Sequence, residues 1–142
     1  MKITDMNITP IAIADPPLLN AAGLHAPYAL RIIVELVTDD GLIGWGEIPG
    51  SEQTHAALQQ AQEYVIGKDP FQLNEIFATL ATIAKSDDRG ATPWDQRQWV
   101  HVRSGIEVAC YDLMGKAVSR PVVDLLGGKS RDRVPFAAYL FY

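Results

Sequence analysis

The apolar positions of this chain change period twice. Residues 2–14 (KITDMNITPIAIA) alternate loosely around Ile3, Met6, Ile8, Ile11 and Ile13. That two-residue period predicts a strand, with Pro10 marking an edge or a bulge. Residues 15–27 (DPPLLNAAGLHAP) carry three prolines and a glycine, the composition of a loop. Tyr28–Thr38 (YALRIIVELVT) is β-branched and alternating, and Leu42–Ile48 (LIGWGEI) follows a hairpin signal at Asp39-Asp40-Gly41. The three runs predict an antiparallel meander.

From Ser51 the period becomes helical. Ser51–Ile66 places Ala57, Leu58, Ala61 and Val65 on one face, and Gly67 ends it. Asp69-Pro70 reads as a cap followed by proline in the first turn. Leu73, Ile76, Phe77, Leu80 and Ile83 form the next stripe. Lys85–Trp94 is a polar loop. A third helix is predicted from Gln98 or Val102 to Val118, with Val102, Ile106, Ala109, Cys110 and Leu113 turned inward. Pro121 opens a short helix that Gly127-Gly128 closes. After the charged connector Lys129–Arg133, Val134–Tyr142 (VPFAAYLFY) predicts one more strand, with no partner in sequence.

Strands followed by helices define an α+β domain over residues 1–133: a three-stranded antiparallel meander and then a helical bundle. The helices can cover one sheet face, and the other must meet solvent or another domain. At 142 residues, 48% hydrophobic and 20% charged, the chain is one domain's worth of ordinary globular composition. Its net charge of −5 disfavours nucleic acid or an anionic membrane as partner. No apolar run reaches the roughly 18 residues a membrane-spanning helix needs, and no secretory signal is visible. The single Cys110 lies in an apolar helical stretch, which predicts a buried thiol and a reducing, cytoplasmic setting.

No self-contained active site emerges: the chain has no phosphate loop, no metal-spaced Cys/His cluster and no nucleophile elbow. Asp39-Asp40 reads as hairpin turn chemistry, with cation binding as the alternative, and Asp87-Asp88 reads as a solvated loop. Glu107 and Asp112 stand five apart on the third helix, so they do not share a face. Each reads as a structural ion-pair or cap partner.

Three ordered segments carry a resemblance. They are Asp39–Glu47 (DDGLIGWGE), Gly105–Lys116 (GIEVACYDLMGK) and Pro121–Gly128 (PVVDLLGG). Together they resemble the N-terminal capping domain of the enolase superfamily, mandelate racemase/muconate lactonizing branch. Asn20–Arg31 (NAAGLHAPYALR) is similar to the glucarate dehydratase group of acid-sugar dehydratases. The resemblance implies an enzyme in which Mg²⁺ in a (β/α) barrel holds the substrate carboxylate. A barrel base there removes the adjacent proton, and the β-hydroxyl then leaves. Such a barrel needs roughly 250 residues. Residues 134–142 would be only the start of its first strand, so no catalytic or metal residue is expected here.

By the same resemblance, the Asp15–Pro27 loop is a lid over an acid-sugar substrate. Asn20 and His25 would touch distal hydroxyls or a carboxylate, with a surface loop histidine as the alternative for His25. Thr92 would add a hydroxyl contact. Tyr139 and Phe141 would line the barrel mouth or pack within it. The expected function is therefore the cap of an Mg²⁺-dependent acid-sugar dehydratase, inactive alone. The alternatives are the cap of a racemase or cycloisomerase, or a stand-alone binding or oligomerisation domain. Homo-oligomerisation is expected through the exposed sheet face and the C-terminal strand.

Overall fold

The computed structural model describes residues 1–14, 19–20, 23–24, 27–84 and 98–138. Strand β1 (Ile3–Ala14) pairs antiparallel with β4 (Tyr28–Thr38), and β4 pairs antiparallel with β5 (Ile43–Pro49). The order β1-β4-β5 is the predicted meander. A second, two-residue pairing joins β2 (Leu19–Asn20) to β3 (Gly23–Leu24). The 15–27 stretch is thus not all loop, a correction to the sequence reading. Strands of two residues are too short to show a period, and the flanking prolines mask them.

Among the described residues four helices follow: α1 (Glu52–Val65), α2 (Leu73–Ile83), α3 (Gln98–Val118) and α4 (Val122–Leu125). The Ser51 hydroxyl caps α1 by accepting from the Thr54 N–H at 3.0 Å. Helix α2 starts later than the Asp69-Pro70 signal implies. The Asp69 carboxylate accepts from the Phe71 N–H, and its carbonyl accepts from Gln72, which closes a separate turn. Past α4, Gly128 N–H reaches the Val123 carbonyl at 2.8 Å and Gly127 N–H that of Asp124. Both glycines have positive φ, so the paired bonds form a Schellman cap.

Alternation along β4 sets the layers. Ile32, Val34, Leu36 and Thr38 are buried under the helices, while Ile33, Glu35 and Val37 turn to the uncovered face. The helix side of the core joins Ile3, Met6 and Ile48 to Leu58, Ala61, Val65, Ile76, Leu80, Val102, Ile106, Ala109 and Leu113. Every residue predicted inward on α1 and α3 is in this cluster. On α2, Ile76 and Leu80 are buried while Leu73, Phe77 and Ile83 pack at its margin. Arg103 of α3 stacks over the Phe77 ring at 4.5 Å, latching α3 to α2.

Helix α3 lies unusually close to β5 because glycines face it. A Cβ on Gly46 would sit 2.0 Å from the Gly105 carbonyl oxygen, and one on Gly44 2.2 Å from that of Ala109. The third member of the contact, Gly105, faces Ile48. Val134–Ala138 forms no strand, because strand geometry requires a hydrogen-bonding partner and none of the described residues pairs with it. Phe136 is 93% exposed.

Candidate functional site

Two connections leave the same end of the sheet. Ala14 pairs with Tyr28 across the base of the 15–27 segment, and Arg31 pairs with Pro49 where β5 turns into α1. The turn is tight. Gly50 N–H donates to the Leu30 carbonyl at 2.8 Å, and a Cβ on Gly50 would meet the Leu30–Arg31 backbone at 2.9 Å. A groove of about 390 Å³ opens here, lined by Pro10, Ala12, Leu30, Arg31, Ser51, Glu52 and His55 among others. Beside it a second, more polar cleft of about 180 Å³ joins Ser51, Gln53 and Thr54 to Gln98 and His101 of α3. Gln98 fastens the two helices by donating from Nε2 to the Gln53 carbonyl at 2.8 Å. The start of α3 therefore lies at the same end of the domain as the turn from β5 into α1.

Both clefts are built from secondary structure. The Ser51 cap holds the start of α1, and Thr54, almost fully buried, bonds to the same hydroxyl at 2.8 Å. Arg31 is oriented by an ion pair with Glu47 across the uncovered face. The groove is mainly apolar, with the Glu52 carboxylate and the His55 imidazole at its rim, and the smaller cleft offers the Gln53 and Gln98 amides, the His101 imidazole and the Ser51 and Thr54 hydroxyls. No nucleophile–base pair is among them. Among the described residues no three His, Cys, Asp or Glu side chains are placed to hold a metal ion.

Asn20 lies in β2, paired with Gly23 across the short hairpin. His25, Thr92, Tyr139 and Phe141 lie outside the described residues, as do Lys85–Trp94 and Asp87-Asp88. His55, His101 and Ser51 were missed as site residues. Their signal in sequence is slight: a helix cap after Pro49-Gly50, and histidines one turn into two helices.

The other acidic candidates resolve as structure. Asp39 Oδ1 accepts the Lys2 backbone N–H at 2.8 Å, which holds its carboxyl below the usual range. Asp40 accepts from the buried Thr38 hydroxyl within the hairpin turn. Asp112 pairs with Lys116 at 2.7 Å. Burial, reinforced by the charge of Glu107, pushes the Cys110 thiol up to about 12. It is an inert core group.

This arrangement, a three-stranded antiparallel meander backed by helices, is that of an enolase-type N-terminal domain. The chain belongs to the family of the mandelate racemase / muconate lactonizing enzyme N-terminal domain, which matches residues 7–127. It is 40% identical to a probable glucarate dehydratase of Streptomyces coelicolor, over 100% of this chain and 35% of that protein. It is 35% identical to a D-galactarolactone cycloisomerase of Agrobacterium fabrum, over 80% of this chain and 29% of that protein. A solved enolase from Pseudomonas fluorescens, with bound magnesium, potassium and tartrate, superposes with a TM-score of 0.87 at 43% identity. That match covers 99% of this chain and 35% of the other. The chain thus spans about a third of the length of these relatives.

Proposed function

We propose that this chain is the substrate-capping part of an Mg²⁺-dependent acid-sugar dehydratase acting on glucarate or a close epimer. The observation that carries the reading is the reach of the match. Identity of 40% to the probable glucarate dehydratase extends over the whole chain, including the 15–27 segment, whereas the cycloisomerase match covers 80%. On this reading Asn20, His25 and Thr92 contact the distal hydroxyls or carboxylate of the substrate. Their amide, imidazole and hydroxyl groups donate and accept as a hydroxylated diacid requires. The Asp15–Pro27 segment, the lid on this reading, excludes water when it closes.

Magnesium, the base and the leaving-group acid belong to the rest of the whole enzyme, of which residues 134–142 begin the next domain, with Tyr139 and Phe141 at its mouth. The 142-residue chain by itself would not turn over. It would associate through the uncovered sheet face and the exposed Val134–Ala138 segment.

The test is α-keto acid formation from glucarate by the full natural protein, with and without Mg²⁺. Asn20→Ala and His25→Ala should raise KM for glucarate. Turnover of galactarolactone without ketone formation would instead favour the cycloisomerase reading. Unchanged kinetics in both variants for every acid sugar would remove the lid assignment.

A further inference from the structure

The β5 edge of the sheet is open in topology but not in chemistry. Gly50 N–H bonds to Leu30 of β4, so the even-numbered residues of β5 turn their backbone groups inward. The odd-numbered ones (Ile43, Trp45, Glu47, Pro49) therefore turn theirs outward, where an added strand would bind. Two of these outward groups are already occupied from α3. The Asp112 carboxylate Oδ2 accepts from the Trp45 backbone N–H at 2.9 Å. Lys116 Nζ donates to the Ile43 carbonyl at 2.6 Å and to the same Asp112 Oδ2 at 2.7 Å. Pro49 has no N–H to offer. An ion pair one helical turn long thus supplies one donor and one acceptor, which is what a neighbouring strand would bring to that stretch.

The close approach of α3 to Gly44 and Gly46 puts Asp112 and Lys116 within reach. The opposite edge is treated similarly. The Met6 carbonyl accepts from Gln62 Nε2 at 2.9 Å, and the Met6 N–H donates to Asp5. Pro10, in register with Ile32, stands an even number of residues beyond Met6. It therefore takes an outward position and removes that donor.

We propose that Asp112 and Lys116 are edge guards that keep β5 from adding a strand of a second copy of this chain. Without them the Trp45 N–H and the Ile43 carbonyl would stand open along the edge, and the strand that matches them in a second copy is its own β5. The guard does not depend on the dehydratase reading.

The experiment is residue-resolved hydrogen exchange together with light scattering across a concentration series, on the full chain and on Asp112→Ala/Lys116→Ala. In the unsubstituted chain the Trp45 amide should be protected at least about tenfold more than the outward Glu47 amide. In the double variant that protection should vanish at low concentration. On concentration, the mass should rise and protection should reappear at Ile43, Trp45 and Glu47 together. Lys116→Met keeps the apolar stem and should shift association in the same direction by less, which covers a double variant that fails to fold. A freely exchanging Trp45 amide in the unsubstituted chain would overturn the proposal. So would variants whose mass matches the unsubstituted chain at every concentration, or association that protects residues away from β5.

Discussion

Replacing Gly46 by alanine tests the closest contact in the fold. The added Cβ would stand 2.0 Å from the Gly105 carbonyl oxygen, 2.9 Å from its carbon and 3.3 Å from its Cα. All three are backbone atoms of a helix, so no rotamer change relieves the clash. Helix α3 would have to retreat by at least about 1 Å to restore ordinary packing, loosening Val102, Ile106 and Ala109 against the sheet. Overpacking costs about 1–3 kcal/mol where side chains can yield, so we expect about 3 kcal/mol or more here. For a domain of this size that lowers Tm by roughly 10 °C.

The assay is thermal and urea unfolding followed by circular dichroism and by Trp fluorescence. Two controls separate causes. Gly41→Ala meets nothing within 4 Å but holds φ at +81°, so it carries only the left-handed penalty of about 1–2 kcal/mol. Gly105→Ala meets the Ile48 side chain at 2.7 Å, which can shift, and it gains helix propensity of about 1 kcal/mol. Gly46→Ala should therefore be the most damaging of the three. A Gly46→Ala protein melting within about 2 °C of the unsubstituted chain would refute the contact between α3 and β5 as described.

Ser51→Ala removes the hydroxyl shared by the Thr54 N–H and Thr54 Oγ1, and denaturant titration should show a loss of about 1 kcal/mol. Cys110 should resist alkylation in the native state and react at once in urea; equal rates would contradict its burial. Its thiol ionises near 9.0 when unfolded and at about 12 when folded, so stability should fall as pH rises through that window. Asp39 has a folded value below 3.8, so its contribution is present above that value and lost as pH falls through the folded one. An NMR titration midpoint at or above the ordinary carboxyl value would exclude the Lys2 hydrogen bond.

What local chemistry decides is legible in the order of residues. The two-residue period of Tyr28–Thr38, the hairpin at Asp39–Gly41, the Ser51 cap and the stripes of α1 and α3 each follow from interactions within a few residues. Sequence therefore determined the three long strands, the helices and which faces are buried, but not the β2–β3 pairing, the start of α2 or the absence of a strand at Val134–Ala138. It also placed Asp39 and Asp40 in turn chemistry and left Asp112 as an ion-pair or cap partner, of which the structure shows the ion pair.

The tertiary structure decided what depends on distant residues meeting. That Asp112 and Lys116 serve the backbone of Ile43 and Trp45 could not be read from their spacing, because the partners lie 67 and 73 residues away. The joining of Arg31, Ser51, His55 and His101 at one end of the sheet is likewise a product of chain reversal. Gly44, Gly46 and Gly105 look like ordinary strand and helix glycines until α3 is laid on β5. A hydrogen bond or a steric contact is a property of two positions in space, and a sequence orders positions only along the chain.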